Sequence, residues 1–284
     1  MQLLRLGPAG AERPAVRADD GTVHDLAALT SDVDGRFLAD GGLARARAAL
    51  TAGELLVLET DGLRIGPPLA RPGKIVCIGL NYTDHAAETG AAIPAEPVVF
   101  MKASNTMVGP HDDVLMPRGS TRMDWEVELG VVIGHVARYL DSPADGLAAI
   151  AGYAVSNDVS EREFQLERGG TWDKGKSCET FNPFGPYLVP ADEVPDVQDL
   201  RLRLWVNGTL RQDGSTADMV FGVGHLIWYL SQFMILEPGD VVNTGTPAGV
   251  ALGQPDPKPY LRPGDVVELE ISGLGRQRQR IGQA

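Results

Sequence analysis

Between Asp124 and Leu129 the chain alternates acidic and apolar residues, then runs into the unbroken apolar stretch Val131-Val132-Ile133. Alternation at period two marks a strand, because successive strand side chains point to opposite faces. Asp124, Glu126 and Glu128 therefore share one face, and Trp125, Val127 and Leu129 share the other. The apolar run sets this strand in a core. Acids on it stand where like charges repel and lost hydration is costly. A divalent cation relieves both problems, since hard cations bind carboxylate oxygens. The same pattern also fits an edge strand whose acids face water, so at this stretch both readings stay open.

The rest of the chain narrows the setting. Its 284 residues suffice for one large domain, or one with a small companion. With Gly 34, Pro 20 and only 6% aromatic residues, turns and short strands are favoured over a helical bundle. A net charge of -13 argues against nucleic acid or an anionic membrane as partner. It leaves room for a small anionic substrate, because a bound cation and a few local Lys or Arg residues reverse the sign within one cleft. No apolar run reaches membrane-spanning length, and the N-terminus lacks a signal peptide's apolar core. A cytoplasmic location is thus expected, with Cys77 and Cys178 as free thiols.

Residues 1–70 read as a small separate unit, with short strands at 3–6 and 55–58, a hairpin turn at Asp20-Gly21 and a helix at 43–50. The Gly- and Pro-rich stretch 66–73 is a stiff linker. A buried strand at 75–80 leads into a short helix ending at Gly90, on which His85 and Glu88 lie three apart on one face. A carboxylate that orients an imidazole is a general-base arrangement. An ordinary surface ion pair has the same spacing. His111-Asp112-Asp113 reads as a polar turn between strands.

After the acidic strand, 141–150 reads as helical, and a strand at 152–160 turns polar at Asp158, the candidate third carboxylate. A helix at 161–168 puts Arg162 and Gln165 on one face, either towards a ligand or on a charged surface. Gly169 to Pro186 is irregular and polar, as segments that carry function often are. Within it Lys176 sits beside Gly175, where the backbone can approach a ligand closely. A strand at 200–206 meets the hairpin turn Asn207-Gly208, and 218–236 has helical apolar spacing. Asn243 to Val250 is rich in small residues, with Thr246 able to donate a hydrogen bond. Glu268 and Glu270 repeat the acidic alternation on the last strand read from the sequence and are expected to face solvent.

Taken together, residues 74–284 resemble the fumarylacetoacetate hydrolase family. The likeness rests on Gly79 to Glu88, Asp124 to Gly134, Asn157 to Arg162, Gly175-Lys176-Ser177 and Asn243 to Val250, in that order. Residues 1–70 resemble the small N-terminal α/β domain of longer bacterial members. The resemblance implies an α+β, β-rich fold, with a mixed β-roll catalytic domain that forms homodimers. It implies Mg²⁺ or Mn²⁺ held by Glu126, Glu128 and Asp158, but not by Asp124. It makes Lys176 the active-site lysine, His85 and Glu88 the dyad on a closing segment, and Arg162, Gln165 and Thr246 substrate contacts.

These parts suit a hydrolase that cleaves a C–C bond of a 2,4-diketo acid and releases pyruvate. His85 would take a proton from water, and Lys176 would offset developing negative charge. The Glu167 to Gly170 stretch resembles members acting on 2,4-diketo-3-deoxy sugar acids. Decarboxylation of a 2-keto diacid such as oxaloacetate, or isomerisation of a hydroxydienoate, draws on the same groups. A non-catalytic binding protein and a purely structural metal site are rival classes.

Overall fold

Short runs of Val, Ile and Leu bounded by Gly and Pro become the strands. The computed structural model describes the backbone of residues 1–284 and every side chain except that of Thr89. The central sheet has the strand order Val189–Pro190, Ile150–Asn157, Val127–Ile133, Val241–Asn243, Ile75–Gly79, Val98–Lys102. Val241–Asn243 runs parallel to Ile75–Gly79, and the other neighbours are antiparallel. A second sheet has the order Thr209–Ser215, Arg201–Val206, Val266–Ile271, Gly275–Gln283, Val114–Met116. Val127, Leu129, Val131 and Ile133 share one buried core with Leu202, Leu204, Val267 and Leu269. The fold is the expected α+β, β-rich mixed roll, and both sheets are open.

The other face of the central sheet divides between two uses. Residues 1–70 form the antiparallel strands Gln2–Leu6, Arg13–Arg17 and Val23–Asp25 and the helices Gly35–Ala39 and Gly42–Thr51. Their Leu3, Val16, Leu26 and Phe37 join Ile75, Cys77, Val132 and Ala154 in a second buried cluster. This unit covers the half of the sheet around Val132. The half around Glu128 faces the irregular segment that ends in Lys176.

Several expected elements change. The 55–58 run forms no strand: a single bridge joins Val57 to His24, and Leu56 and Val57 are exposed. An apolar run becomes a strand only where a sheet edge offers it a ladder. The acidic stretch 124–134 is two strands rather than one. Met123–Asp124 pairs with Ser160–Glu161, while Val127–Ile133 pairs with Ile150–Asn157. The chain turns at Trp125-Glu126 to change partners. There Asn157 Oδ1 accepts from the Glu126 amide at 3.2 Å, and Gln212 Oε1 accepts from the Val127 amide at 3.0 Å. The helix expected over 218–236 spans only Val223–Leu230. Gly275–Gln283 is a strand that apolar periodicity does not reveal. Its inward side chains include Gln277 and Gln279, set between outward arginines. Among the described residues no helix is long and apolar enough to cross a membrane.

Candidate active site

Antiparallel register assembles the acids. Ser156 stands opposite Glu128 and Asn157 opposite Val127. One step further, the Asp158 amide donates to Glu126 O at 3.0 Å. Asp158 therefore lies across from Glu126 just beyond the end of its strand. Glu126, Glu128 and Asp158 can each offer a carboxylate atom such that all lie within 4.8 Å of one another. All three are buried.

Lys176 closes this cluster. Its Nζ donates to Glu126 Oε2 at 2.7 Å and to Asp158 Oδ2 at 2.9 Å. It ends the short helix Asp173–Lys176, which lies against Arg162–Leu166 because Gly175 has no side chain. A Cβ at Gly175 would stand 2.4 Å from Glu161 O and 2.5 Å from the Gln165 amide nitrogen. A second lysine, not singled out from the sequence, also reaches the cluster. Lys102, the last residue of the edge strand, is buried, pairs with Asp158 Oδ1 and donates to Val159 O at 3.1 Å. Its only sequence signal is a lysine ending an apolar strand, which equally marks a protected sheet edge.

Burial alone pushes the Glu126 carboxyl up, but the charges of Lys176, Arg162 and His85 outweigh it and hold the group down at about 2. Burial pushes Glu128 well above the ordinary carboxylate range, and repulsion from Asp158 and Glu126 adds to the rise. Glu128 Oε2 accepts from the Gly245 amide at 2.8 Å. Gly245 itself needs to be glycine: its φ is +99°, and a Cβ would stand 2.8 Å from Asn81 Cβ. Lys176 is raised: burial opposes its charge, and Asp158 and Glu126 more than restore it. An all-oxygen donor set of this size, carrying more negative charge than it can hold dry, suits a hard divalent cation. Glu126, Glu128 and Asp158 could thus hold a metal ion.

Asp124 has a different task. Its oxygens accept from Arg162 Nε at 2.8 Å and from the Ala251 and Leu252 amides at 2.7 and 3.0 Å. It fixes Arg162 and ties the 251–252 backbone to the site. Arg162 Nη1 donates to Gln165 Oε1 at 3.0 Å. Arg162 Nη2 lies 2.6 Å from Glu126 Oε1, an ion pair in which the N–H does not point at the oxygen.

His85 and Glu88 meet on the helix Thr83–Thr89, with Nδ1 and Oε1 2.8 Å apart. Glu88 also takes the Gly249 amide on both oxygens at 3.0 Å, which holds the helix against the 245–250 loop. Thr246 lines the same space, but its hydroxyl donates to Val127 O at 2.9 Å and accepts from Gln212 Nε2 at 2.8 Å. A donation from Thr246 to a ligand would require the hydroxyl to leave Val127. Glu126, Glu128, His85, Arg162, Gln165, Lys176 and Thr246 all face one cavity of about 260 Å³. Asp158 sits behind Lys176, and Glu167 to Gly170 are exposed and line no part of the cavity.

A sequence model described as "Fumarylacetoacetate (FAA) hydrolase C-terminal" matches residues 74–282. The chain belongs to the fumarylacetoacetate hydrolase family. A Burkholderia multivorans protein provisionally named a hydrolase is 52% identical over 279 residues, 98% of each chain. The structure of a fumarylacetoacetate hydrolase from the psychrophile Exiguobacterium antarcticum is similar over 100% of both chains, with 33% identity and a TM-score of 0.85. A maleylpyruvate hydrolase from Sphingobium sp. SYK-6, in complex with manganese(II) and pyruvate, is similar over 100% of both chains at 27% identity and TM-score 0.81. A 2-hydroxyhepta-2,4-diene-1,7-dioate isomerase from Mycobacterium marinum is similar at 29% identity and TM-score 0.76, over 100% of this chain and 98% of that one.

Proposed function

We propose that this member of the fumarylacetoacetate hydrolase family hydrolyses the C–C bond of a small anionic 2,4-diketo acid, an acylpyruvate, and releases pyruvate. The observation that carries the reading is that His85, held by Glu88, faces the same cavity as Glu126, Glu128 and Lys176. Glu126, Glu128 and Asp158 would hold Mg²⁺ or Mn²⁺, which when bound supplies Lewis-acid chemistry.

With Nδ1–H directed at Glu88, Nε2 is the His85 atom able to take a proton. It takes one from water as the oxygen adds to the C4 carbonyl carbon. The C3–C4 bond then breaks, its electron pair stays on C3, and the acyl carbon leaves as a carboxylic acid. His85 returns its proton to C3, which becomes the methyl group of pyruvate. Lys176 and Arg162 place positive charge beside the carboxylate end of the substrate.

Support comes from the family and from the relative that hydrolyses maleylpyruvate. The isomerase relative favours a second reading, in which His85 moves a proton between two carbons and no water is consumed. Product analysis separates these. Mg²⁺-loaded protein given acylpyruvates is expected to yield pyruvate and a carboxylic acid in equal amounts. Consumption of a hydroxydienoate or of oxaloacetate, with no cleavage of any acylpyruvate, overturns hydrolysis. The reading includes a cytoplasmic homodimer, whose mass light scattering would report.

A further inference from the structure

We propose that the acyl group this site accepts is an uncharged hydrocarbon chain, so that its substrate class is the alkanoylpyruvates rather than diacids or polyhydroxylated acids. The inference rests on the hydrolase reading above and deepens it.

The cavity lining sorts by depth. Every ionisable lining side chain, from His85 and Glu126 to Arg162 and Lys176, is buried at the floor. Five lining residues keep contact with solvent, and Leu80, Ala91, Leu166, Trp172 and Leu252 are all apolar. They mark the mouth, where the end of a substrate distant from its 2-keto carboxylate must lie. Trp172 is fixed there: its ring meets Phe100 edge-on at 5.2 Å between centroids and covers Gly79, where a Cβ would stand 2.4 Å from it.

Among the described lining residues no cation stands at the mouth, where a second carboxylate would lie: Arg162 and Lys176 are both buried. Arg162 is held at the floor by Asp124 on Nε and Gln165 on Nη1, with Nη2 2.6 Å from Glu126. Lys176 is shared between Glu126 and Asp158. A terminal carboxylate would lose hydration against leucine and tryptophan without a partner. Sugar hydroxyls would meet the same carbon surface, whereas an alkyl chain gains from it.

The test compares kcat/KM for pyruvate release by the full-length, Mg²⁺-loaded protein across acetyl-, butanoyl- and hexanoylpyruvate, maleylpyruvate and a polyhydroxylated 2,4-diketo acid. From acetyl to butanoyl the value is expected to rise by about fourfold for each methylene buried. Maleylpyruvate is expected to fall roughly 10²-fold below the best alkanoyl compound. Calorimetry adds a reading free of catalysis: hexanoate is expected to bind more tightly than maleate in the presence of pyruvate. Leu166→Arg, at a half-exposed mouth position, is expected to narrow the gap between maleylpyruvate and hexanoylpyruvate at least about tenfold. The inference falls if maleylpyruvate or the polyhydroxylated acid is cleaved as well as the alkanoyl series, or if chain length brings no gain. If no diketo acid of any kind yields pyruvate, the hydrolase reading itself falls and takes this inference with it.

Discussion

His85 gains its directionality from Glu88. Glu88 fixes which ring nitrogen carries the proton and, through Gly249, where the ring stands. His85→Ala is expected to lower kcat by roughly 10²- to 10⁴-fold while leaving the affinity for Mg²⁺ unchanged by calorimetry. Unchanged turnover would mean that His85 is not the base. Glu128 supports a prediction of opposite sign to the usual carboxylate. Its raised folded-state value means that the metal-free fold binds a proton the unfolded chain has lost. Metal-free stability is therefore expected to fall as pH rises above the ordinary Glu range, and Mg²⁺ is expected to stabilise more at the higher pH. Thermal melts with and without Mg²⁺ across pH 5 to 8, above the ordinary Glu value of about 4.3, would show this. A stabilisation by Mg²⁺ that shrinks as pH rises would contradict it.

Spacing alone made legible only the pairs that lie close in the chain, while Asp158, Lys176 and Thr246 were singled out by local composition and by the family resemblance. Glu126 with Glu128 and Arg162 with Gln165 are each close in the chain and line the cavity together, and His85 lines it with Glu88 behind its ring. Lys102, Gln212 and Asn157 were not legible in this way. Each is placed by a partner between 31 and 85 residues distant, and such pairings leave no local pattern.

At the scale of elements, the short helix Asp173–Lys176 has the tightest fit. It delivers Lys176 only because position 175 lacks a side chain. Gly175→Ala puts a carbon against backbone atoms that cannot swing aside, and is expected to cost about 1–3 kcal/mol. Activity is expected to fall further than stability does, since the displaced helix carries the lysine. Melting temperature and kcat measured on the same preparation test this, and parallel loss of both would mean the helix only packs. The break in the acidic strand belongs to this scale too. Periodicity gave the correct faces for Glu126 and Glu128, but it carried no sign that the strand changes partner at Trp125, because partner choice is settled by distant segments. Gly275–Gln283 was missed for a related reason. Its buried glutamines satisfy one another and the backbone, as in the bonds from Gln277 Nε2 to Val155 O at 2.7 Å and from Gln279 Nε2 to Pro110 O at 2.6 Å. A polar inward face hides the period that identifies other strands.

Across the whole molecule, residues 1–70 are attached by apolar packing more than by charge. Arg47 joins Asp192 and Glu193 at 2.8 to 2.9 Å, but on the exposed surface. Arg47→Ala is expected to cost at most about 1 kcal/mol. Leu3 is fully buried in the cluster shared with the central sheet, and its backbone exchanges two 2.9 Å hydrogen bonds with Leu188. Leu3→Ala is expected to cost about 2–5 kcal/mol and to lower a single cooperative unfolding transition. Two separate transitions by calorimetry would mean that the small unit melts on its own.

The two lysines on Asp158 have a further consequence, for the order in which ligands arrive. Asp124, Glu126, Glu128 and Asp158 bring four acidic groups to the cluster, and Lys102, Arg162 and Lys176 bring three basic ones. With a proton on Glu128 the cluster is electrically neutral and has no pull on an anion. Exchange of that proton for a divalent ion leaves one net positive charge inside a chain whose total is -13. With that ion in place, the floor of the cavity would attract the proposed keto acid, which the surface repels. On the proposed reading, loading would then be ordered, cation before substrate, because the lysines bring the acids so near to balance that one ion would reverse the sign.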